Sequence, residues 1–347
     1  MKPVRATACS NIALVKYWGK RTGVSAELNL PAVGSLSMTL DALRTETELH
    51  PADADAFELD GRPVHDVQAA KVWRHLDRIW AASGRDGARP AARVVSYNRF
   101  PTAAGLASSA SGFAALTIAA ATAFGTDLPP AALSSLARQG SGSAARSIFG
   151  GFVRLHRGSA PDGSDCRARP LVGADHWPLT LLVVQTTAGR KPIGSTDGME
   201  RCRETSPYYS PWVATSEADL DAAEAALRAR DLPALGRVVE HSCFKMHASM
   251  MATDPPLLYW NGTTVTVVHE VWQARAEGLS GYVTIDAGPH VKVLCEPTTA
   301  TALRERLAAV PGVLGVIEAR PGPDATAAIL ETTPETIPEA GREEASA

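Results

Sequence analysis

Along the first third of the chain, the spacing of apolar and polar positions predicts strands first and then a helix. Residues 4–18 and 35–50 are β-prone runs, and Asp60-Gly61 separates two short apolar runs with a dipeptide typical of hairpin turns. These runs predict antiparallel strands. Between residues 66 and 83, apolar side chains recur at three- and four-residue steps, which predicts a helix, and residues 91–97 predict another strand.

The middle of the chain contains a loop of small residues that continues into a helix. Residues 101–111 are rich in Gly, Ala and Ser, residues 112–124 are an apolar helical stretch, and a second helix is predicted over 130–138. Two strands and a polar loop between them, which contains Pro and Gly, complete this stretch: strands 152–155 and 179–185 and loop 158–173.

The second half predicts helices followed by a small sheet. A capping box at Ser216-Glu217-Ala218-Asp219 predicts the start of a helix that extends to Asp231. The other elements are predicted by periodicity: helices 232–251, 264–277 and 298–309, and strands 281–285, 291–295 and 313–318. Together these elements predict two α+β domains, residues 1–175 and 176–330. Residues 331–347, rich in Glu, Thr, Pro and Ala, predict a disordered tail.

Composition narrows the functional classes. The 347 residues include 34 Lys plus Arg and 37 Asp plus Glu, a net charge of −3 without a dense basic stripe, which argues against a nucleic-acid partner. No apolar run approaches membrane-spanning length and the N-terminus lacks signal-peptide features, so we expect a cytoplasmic protein without a membrane partner. The five cysteines are odd in number and scattered, which predicts reduced thiols rather than disulfides or a zinc ribbon.

The small-residue loop is the first candidate for chemistry. In Pro101-Thr-Ala-Ala-Gly-Leu-Ala-Ser-Ser-Ala-Ser-Gly112, small side chains let backbone amides approach a ligand, and the segment leads into a helix N-terminus, which favours anions. Serine hydroxyls there can donate to phosphate or hold Mg²⁺. Composition alone also allows simple close packing at a strand–helix junction. The segment is not a Walker A loop, because G-x-x-x-x-G-K-[ST] is absent.

This loop closely resembles the ATP-phosphate loop of the GHMP kinase superfamily, which includes galactokinase, homoserine kinase, mevalonate kinase and phosphomevalonate kinase. Three further segments resemble signatures of its diphosphomevalonate decarboxylase branch: S-N-I-A-L-V-K-Y-W-G-K at 10–20, G-S-G-S-A-A-R-S-I-F-G-G at 140–151 and T-I-D-A-G-P at 284–289. The four motifs occur in the family's order, and the resemblance covers residues 4 to 320.

The resemblance implies a fold, a reaction and a set of partners. The fold is an N-terminal ribosomal-protein-S5-like α+β domain and a C-terminal ferredoxin-like α+β domain, with the active site in the cleft between them. The reaction uses ATP and Mg²⁺ to convert mevalonate 5-diphosphate into isopentenyl diphosphate, ADP, phosphate and CO₂, as part of isoprenoid biosynthesis by the mevalonate pathway. Homodimerisation is a further family expectation.

The resemblance also implies catalytic roles for three residues. Asp286 is expected near the 3-hydroxyl, as proton acceptor and later as a stabiliser of positive charge at C3. Arg146 is expected to grip the substrate carboxylate through two parallel hydrogen bonds. Ser109 is the phosphate-loop serine, and it is also the candidate for holding Mg²⁺ through the ATP phosphates. By position alone, Asp286 also fits a solvated turn and Arg146 an exposed surface residue.

Further residues match family positions that bind the substrate or the nucleotide. Those expected to bind substrate, besides Arg146, are Tyr17, Lys20, Ser141, Ser143 and Ser195, and those expected to bind ATP are Ala104, Gly105, Leu106, Ala107, Ser108 and Ser109. Strand alternation would place Tyr17 and Lys20 on opposite faces, so we predict a break or bulge near Gly19.

Several departures from the family pattern leave the exact reaction open. Val33-Gly34 stand where many members have Asn-Ser, Gly194 replaces a common Ser, and His290 replaces the usual Asn. These departures allow a preference for the 5-monophosphate. The motifs are also compatible with a kinase that phosphorylates the 3-hydroxyl without decarboxylation, or with a catalytically silent ligand-binding protein. His241 and His247 are interpreted as ordinary helix residues rather than metal ligands, because six residues separate them.

Overall fold

Two β-sheets organise the chain in the computed structural model, one with eight strands and the other with four. The structure describes residues 1–100, 108–189 and 193–331. The described strands are β1 Val4–Val15, β2 Ser35–Pro51, β3 Ala56–Leu59, β4 Arg62–Pro63, β5 Ala92–Asn98, β6 Phe152–Leu155, β7 Ala168–Val172, β8 Thr180–Gln185, β9 Gly281–Ile285, β10 Val291–Cys295, β11 Gly315–Ala319 and β12 Thr326–Ile329. The described helices are α1 Val67–Ala82, α2 Ser108–Phe124, α3 Pro130–Gly140, α4 Ser195–Thr205, α5 Tyr209–Ala229, α6 Leu232–Met251, α7 Gly262–Ala276 and α8 Pro297–Ala308.

The eight-stranded sheet supports the helix that follows the small-residue loop. Its strand order is β12-β1-β2-β5-β3-β4, and β6 pairs with both β2 and β7. The α2 helix packs on β1 and β2 through buried alanines; Ala114 and Ala115 lie in the same apolar cluster as Ala8 of β1. Small side chains on α2 allow this close approach, which fixes the N-terminus of the helix relative to the sheet.

The four-stranded sheet is buried on both faces. Its order is β11-β8-β10-β9 with antiparallel pairing throughout. Along β8, Leu182 and Val184 pack towards α7 and α8, whereas Leu181 and Val183 join a core that also contains Leu36 of β2. Because the core that contains Leu181, Val183 and Leu36 includes side chains from both sheets, it packs the two domains against each other.

The last strand returns to the first sheet. Thr326–Ile329 pairs antiparallel with β1, from Thr7 opposite Thr326 to Val4 opposite Ile329. The sequence prediction placed all of residues 176–330 in the second domain, whereas this strand pairs with the sheet of the first. The boundary near residue 175 stays a prediction.

Most predicted elements are confirmed, and the differences have local causes. Helix α6 and strands β9 and β10 have the predicted bounds. The loop prediction for 158–173 was wrong in part, because β7 lies within it. The capping box was also wrong, because α5 already begins at Tyr209; the Ser216 hydroxyl donates to the Trp212 carbonyl within the helix, and Asp219 pairs with Lys245. Helix α4 and strand β12 were not predicted. The expected disordered tail lies, apart from Glu331, outside the described residues.

Among the residues that the structure describes, no helix is long and apolar enough to cross a membrane. The described cysteines are all free and buried, as the scattered spacing predicted.

We predict that buried His75 makes the fold sensitive to acid. Burial lowers the pKa of His75 to about 3, and its Nε2 pairs with Thr117 Oγ1 at 2.8 Å. Below about pH 6.5 the unfolded chain binds a proton that the folded chain does not, so stability falls as pH falls, by up to about 1.4 kcal/mol per pH unit. Urea unfolding at pH 7, 6 and 5 should show a shallower pH dependence for His75→Gln than for wild type. Equal slopes for the two proteins would contradict a neutral, buried His75.

Candidate active site

A cavity of about 460 Å³ lies between the two domains and brings together every described residue that the sequence predicted to be catalytic or to bind substrate or nucleotide. These residues are Tyr17, Lys20, Ser108, Ser109, Ser141, Ser143, Arg146, Ser195 and Asp286. They come from the segment after β1, the N-termini of α2 and α4, the segment after α3, and the turn after β9. Ala104, Gly105, Leu106 and Ala107 lie outside the described residues, so their predicted ATP contacts stay predictions.

The centre of the cavity is a carboxylate held between two buried ammonium groups. Asp286 follows β9 directly, and its Oδ1 lies 2.7 Å from Lys16 Nζ while its Oδ2 lies 3.1 Å from Lys292 Nζ. The Lys16 and Lys292 side chains are only 1% and 2% exposed, whereas that of Asp286 is 30% exposed. The carboxylate is therefore the part of this cluster that faces the cavity.

The two lysines keep Asp286 ionised. Burial by itself would raise the pKa of this carboxyl, but the charges of Lys16 and Lys292 and their hydrogen bonds outweigh burial and hold the pKa well below its ordinary value. A carboxylate with a low pKa is a weak proton acceptor and a persistent negative charge. The geometry thus favours an electrostatic role for Asp286 over that of a strong general base.

Helix α6 aligns the two sides of this cluster. Ser242 Oγ accepts a hydrogen bond of 3.0 Å from the backbone N–H of Lys16. One residue along, Cys243 Sγ accepts from the N–H of Ile285 at 3.1 Å, and His247 Nε2 donates to the Ile285 carbonyl at 3.1 Å. Burial lowers the pKa of His247 to about 3, so the ring is neutral and acts as a donor. One helix therefore sets the backbone positions next to both Lys16 and Asp286.

Arg146 is a buried cation without a carboxylate partner among the described residues. Its Nε donates to Asn11 Oδ1 at 3.1 Å and its NH1 donates to Ser35 Oγ at 2.5 Å, and the guanidinium lies 5.7 Å from the Tyr17 ring centroid. Burial lowers the pKa of Arg146 to about 10, so it remains charged at neutral pH. A buried charge paired only with neutral groups is costly unless an anion joins it. Arg146 is thus prepared for an anionic ligand.

Tyr17 and Lys20 meet because the strand ends before them. Strand β1 ends at Val15, and Gly19 adopts a φ of +103°, which confirms the predicted break. Lys20 Nζ then donates to the Tyr17 hydroxyl at 2.8 Å and to Asn29 Oδ1. A Cβ on Gly142 would lie 2.2 Å from the Tyr17 oxygen, so this glycine leaves the space in which Tyr17 sits.

A row of hydroxyls connects α2 with the segment after α3. Ser109 Oγ lies 3.3 Å from Ser141 Oγ, which lies 3.3 Å from Ser143 Oγ. Within the described ranges, no group of three His, Cys, Asp or Glu side chains is placed to hold a metal ion. Hydroxyl oxygens at a helix N-terminus fit a Mg²⁺ ion that keeps water and phosphate ligands rather than one caged by carboxylates. Ser109 is the residue here that would contact such an ion.

A second, more apolar cavity of about 260 Å³ shares Ser108 and Ser109 with the first. Phe57, Leu59, Val72, Val94 and Leu116 supply apolar surface, and Ser96 and Asn98 of β5 supply polar groups. Asp60 orients Asn98 by accepting from its backbone N–H at 2.8 Å. The two serines therefore stand at the junction of a polar and an apolar compartment.

The residues that depart from the family pattern have structural roles here. Val33 is buried in the cluster around Trp18. A Cβ on Gly34 would lie 2.5 Å from Leu220 Cδ1, so packing against α5 excludes a larger residue. His290 is buried, and its Nδ1 accepts from the Thr186 N–H at 3.1 Å. Gly194 is the N-cap of α4, immediately before Ser195.

Sequence reasoning missed Lys16, Lys292 and Asn11. Asn11 orients Arg146 and also donates to the Ser143 carbonyl at 3.0 Å and to Ser147 Oγ at 2.8 Å. A usable signal was present for both lysines, because each is a single charged residue within or directly after an apolar strand sequence, A-L-V-K and V-K-V-L-C. An isolated charge within a buried strand requires a partner.

The fold and cavity together define a class of protein, one that binds a small anionic ligand in the cleft between two α+β domains. Comparison with known proteins makes the class specific. Residues 8–168 match the family model of the diphosphomevalonate decarboxylase-like N-terminal domain, and residues 180–317 match that of the mevalonate 5-diphosphate decarboxylase C-terminal domain.

Individual relatives agree with the family models. A diphosphomevalonate decarboxylase of Aspergillus fumigatus is 38% identical over 83% of this chain and 75% of its own length. The solved mevalonate diphosphate decarboxylase from Enterococcus faecalis is 38% identical with a TM-score of 0.85, over 95% of this chain and 99% of that chain. A structure of MDDEF in complex with MVAPP, AMPPCP and magnesium is also 38% identical, with a TM-score of 0.86 over the same shares.

The chain belongs to the diphosphomevalonate decarboxylase family. The expectation of a GHMP kinase fold with two α+β domains is thereby confirmed. The roles of individual residues stay predictions.

We predict that Gly142→Ala weakens substrate binding with little effect on stability. The added Cβ must displace the Tyr17 hydroxyl and, through it, Lys20. The loss of about one good hydrogen bond corresponds to roughly a tenfold rise in KM for the phosphorylated substrate. Steady-state kinetics and thermal melts measure both effects.

Gly262→Ala is the matched control for this substitution, because a Cβ there meets nothing within 4 Å at the start of α7. Both variants should have near wild-type melting temperatures, and only Gly142→Ala should show the higher KM. An unchanged KM in Gly142→Ala would show that the position of Tyr17 does not matter for binding.

Proposed function

We propose that this chain catalyses the ATP-dependent decarboxylation of mevalonate 5-diphosphate, with Asp286, Arg146 and Ser109 in the central roles. The products are isopentenyl diphosphate, ADP, phosphate and CO₂, and the reaction belongs to the mevalonate pathway. The family membership supports the reaction. The observation that carries the residue roles is the cavity in which a buried guanidinium, without a carboxylate partner in the described ranges, and a partly exposed carboxylate face the same space.

The reaction requires activation of a poor leaving group. ATP transfers its terminal phosphoryl group to the tertiary 3-hydroxyl, after which the C3–O bond breaks and phosphate leaves. The C1–C2 bonding electrons form the C2–C3 double bond as CO₂ departs. Mg²⁺ neutralises phosphate charge, and no organic electron sink is required.

The cavity residues can be assigned to the parts of this substrate. Arg146 holds the C1 carboxylate through its planar fork, because its hydrogen-bond partners in the described part of the chain, Asn11 and Ser35, are neutral. Tyr17 and Lys20, together with Ser141, Ser143 and Ser195, bind the polar remainder of the substrate, with Lys20 on the diphosphate. Asp286 lies opposite C3, where its persistent negative charge stabilises positive charge as phosphate leaves.

The nucleotide extends from the shared serines into the second cavity. Ser108 and Ser109 face the phosphates at the N-terminus of α2, and the apolar cavity beside them has the composition expected for a nucleobase site. Ser96 and Asn98 are among the polar groups there that can select the base by hydrogen bonding.

Cellular context and assembly are further parts of the proposal. We place the protein in the cytoplasm, which the free, buried cysteines support. We also propose a homodimer and a domain boundary near residue 175. The homodimer rests on the family resemblance. The domain boundary is supported by the gap between the two family-model matches, which end at residue 168 and begin again at residue 180. Light scattering coupled to size-exclusion chromatography measures the mass in solution, and a monomeric mass would refute the dimer.

The substrate is tested by incubating the protein with ATP, Mg²⁺ and either mevalonate 5-phosphate or mevalonate 5-diphosphate. We expect ADP and CO₂ to form in equal amounts and with a higher kcat/KM for the diphosphate. Formation of ADP without CO₂ would identify a 3-kinase, and faster turnover of the monophosphate would identify a phosphomevalonate decarboxylase. Binding without either product would identify a silent ligand-binding protein.

We predict that Asp286→Asn lowers kcat by at least about 100-fold, because it removes the negative charge opposite C3. Nucleotide and substrate dissociation constants, measured by calorimetry, should change by less than about threefold, because the amide keeps the shape of the side chain. Asp219→Asn is the control; it breaks a Lys–Asp pair of 2.6 Å, formed with Lys245 away from the cavity. Turnover retained in Asp286→Asn would remove Asp286 from the mechanism.

A further inference from the structure

Lys292 is a charged residue at a place where the fold favours an apolar one. It lies in β10, whose five residues are all buried, between Val291 and Val293 of an apolar cluster. Its Nζ contacts Asp286 Oδ2 at 3.1 Å and the His290 carbonyl at 3.3 Å. An ion pair in such a position is often no more stabilising than apolar packing, so stability alone does not account for this lysine.

The two lysines hold different oxygens of Asp286 from different domains. Lys16 follows β1 and contacts Oδ1, whereas Lys292 lies on the second sheet and contacts Oδ2. A carboxylate with one partner can rotate about its side-chain bonds, whereas one held at both oxygens keeps a single orientation. Because Lys292 is anchored to the His290 carbonyl in the same turn, its contact is internal to the second domain and does not depend on Lys16.

We propose that Lys292 is a positioning residue for the decarboxylation, which fixes Asp286 through Oδ2 and keeps its carboxylate ionised towards the cavity. This inference rests on the proposed function. Lys292 does not line the cavity, so it acts through Asp286 rather than on the substrate.

The other charged or titratable groups around Asp286 do not replace Lys292. Lys16 occupies the opposite oxygen, and Arg146 is bound to Asn11 and Ser35. On α6, burial raises the pKa of Cys243 to about 11 and lowers that of His247 to about 3, so both are neutral near pH 7. His290 contributes its carbonyl to Lys292 and its Nδ1 to the Thr186 N–H. Among the residues that the structure describes, loss of Lys292 therefore leaves Asp286 with one close cation.

The test is Lys292→Met, which keeps the length of the side chain and removes its charge. We expect kcat to fall by about 10- to 100-fold, while KM for mevalonate 5-diphosphate changes by less than about threefold. Without one of its cations, the pKa of Asp286 rises, so the variant should lose kcat on acidification through a limb that lies at higher pH than any in wild type. Lys292→Arg, which restores a cation, should remove this limb and recover part of kcat.

Two further measurements keep the result decisive. Lys292→Gln is uncharged but retains a donor for the His290 carbonyl, and it should show the same acidic limb if the methionine variant does not fold. Lys245→Met removes the distant Lys–Asp pair and should leave the pH profile of kcat unchanged. Either neutral Lys292 variant with the wild-type pH profile and kcat would overturn the inference.

Carboxyl NMR separates this inference from the proposed function. In protein labelled with ¹³C-aspartate, the Asp286 signal is assigned by its absence in Asp286→Asn. Its titration should move to higher pH in Lys292→Met, whether or not wild type releases CO₂. An unmoved titration would refute the inference alone, and a wild type that binds substrate but forms no CO₂ would refute the proposed function alone.

Discussion

The pairing of Asp286 with two buried ammonium groups is the constraint on which the site depends. A carboxylate placed at the end of a buried strand would normally be neutralised by a rise in pKa, and here two cations from separate domains prevent this. The pair between Lys16 and Asp286 also crosses the domain junction. The relative placement of the two sheets and the ionisation of the site are thus coupled, because a shift of either sheet would separate opposite charges in a poorly hydrated region.

Other contacts around this pair also join the two halves of the chain. The core between the sheets contains side chains from β2, β8, α5 and α6, and α6 hydrogen-bonds to the backbone next to both Lys16 and Asp286. Arg154 of β6, whose side chain is only 10% exposed, pairs with Asp221 and Glu224 of α5 at 2.8 and 2.9 Å. These pairs join the first sheet to a helix of the second half, as the pair between Lys16 and Asp286 joins the two domains.

The sequence predicted the elements with strong periodicity and failed where tertiary contacts decide. Helix α6 was predicted with its observed bounds, because its apolar spacing is continuous. The start of α5 was misplaced, because Ser216 and Asp219 have the residue types of a cap but lie inside the helix, satisfied by Trp212 and Lys245. Strand β12 was missed because its residues, Thr-Ala-Ala-Ile, have little apolar bulk and are strand-like only through pairing with β1.

The site residues show the same division between what local sequence encodes and what tertiary contacts decide. Motifs identified residues at loop and strand ends, such as Asp286 and Arg146, because glycine- and serine-rich surroundings make them distinctive. Lys16 directly follows β1 and Lys292 lies inside β10, and the role of each depends on which oxygen of Asp286 it reaches, which no spacing along the chain encodes. Arg146 adds a buried positive charge to the same cavity. If it holds the C1 carboxylate, release of neutral CO₂ leaves this buried cation without an anion, so the loss of CO₂ also weakens the binding of what remains. The charge arrangement thus favours the carboxylated substrate over the decarboxylated product.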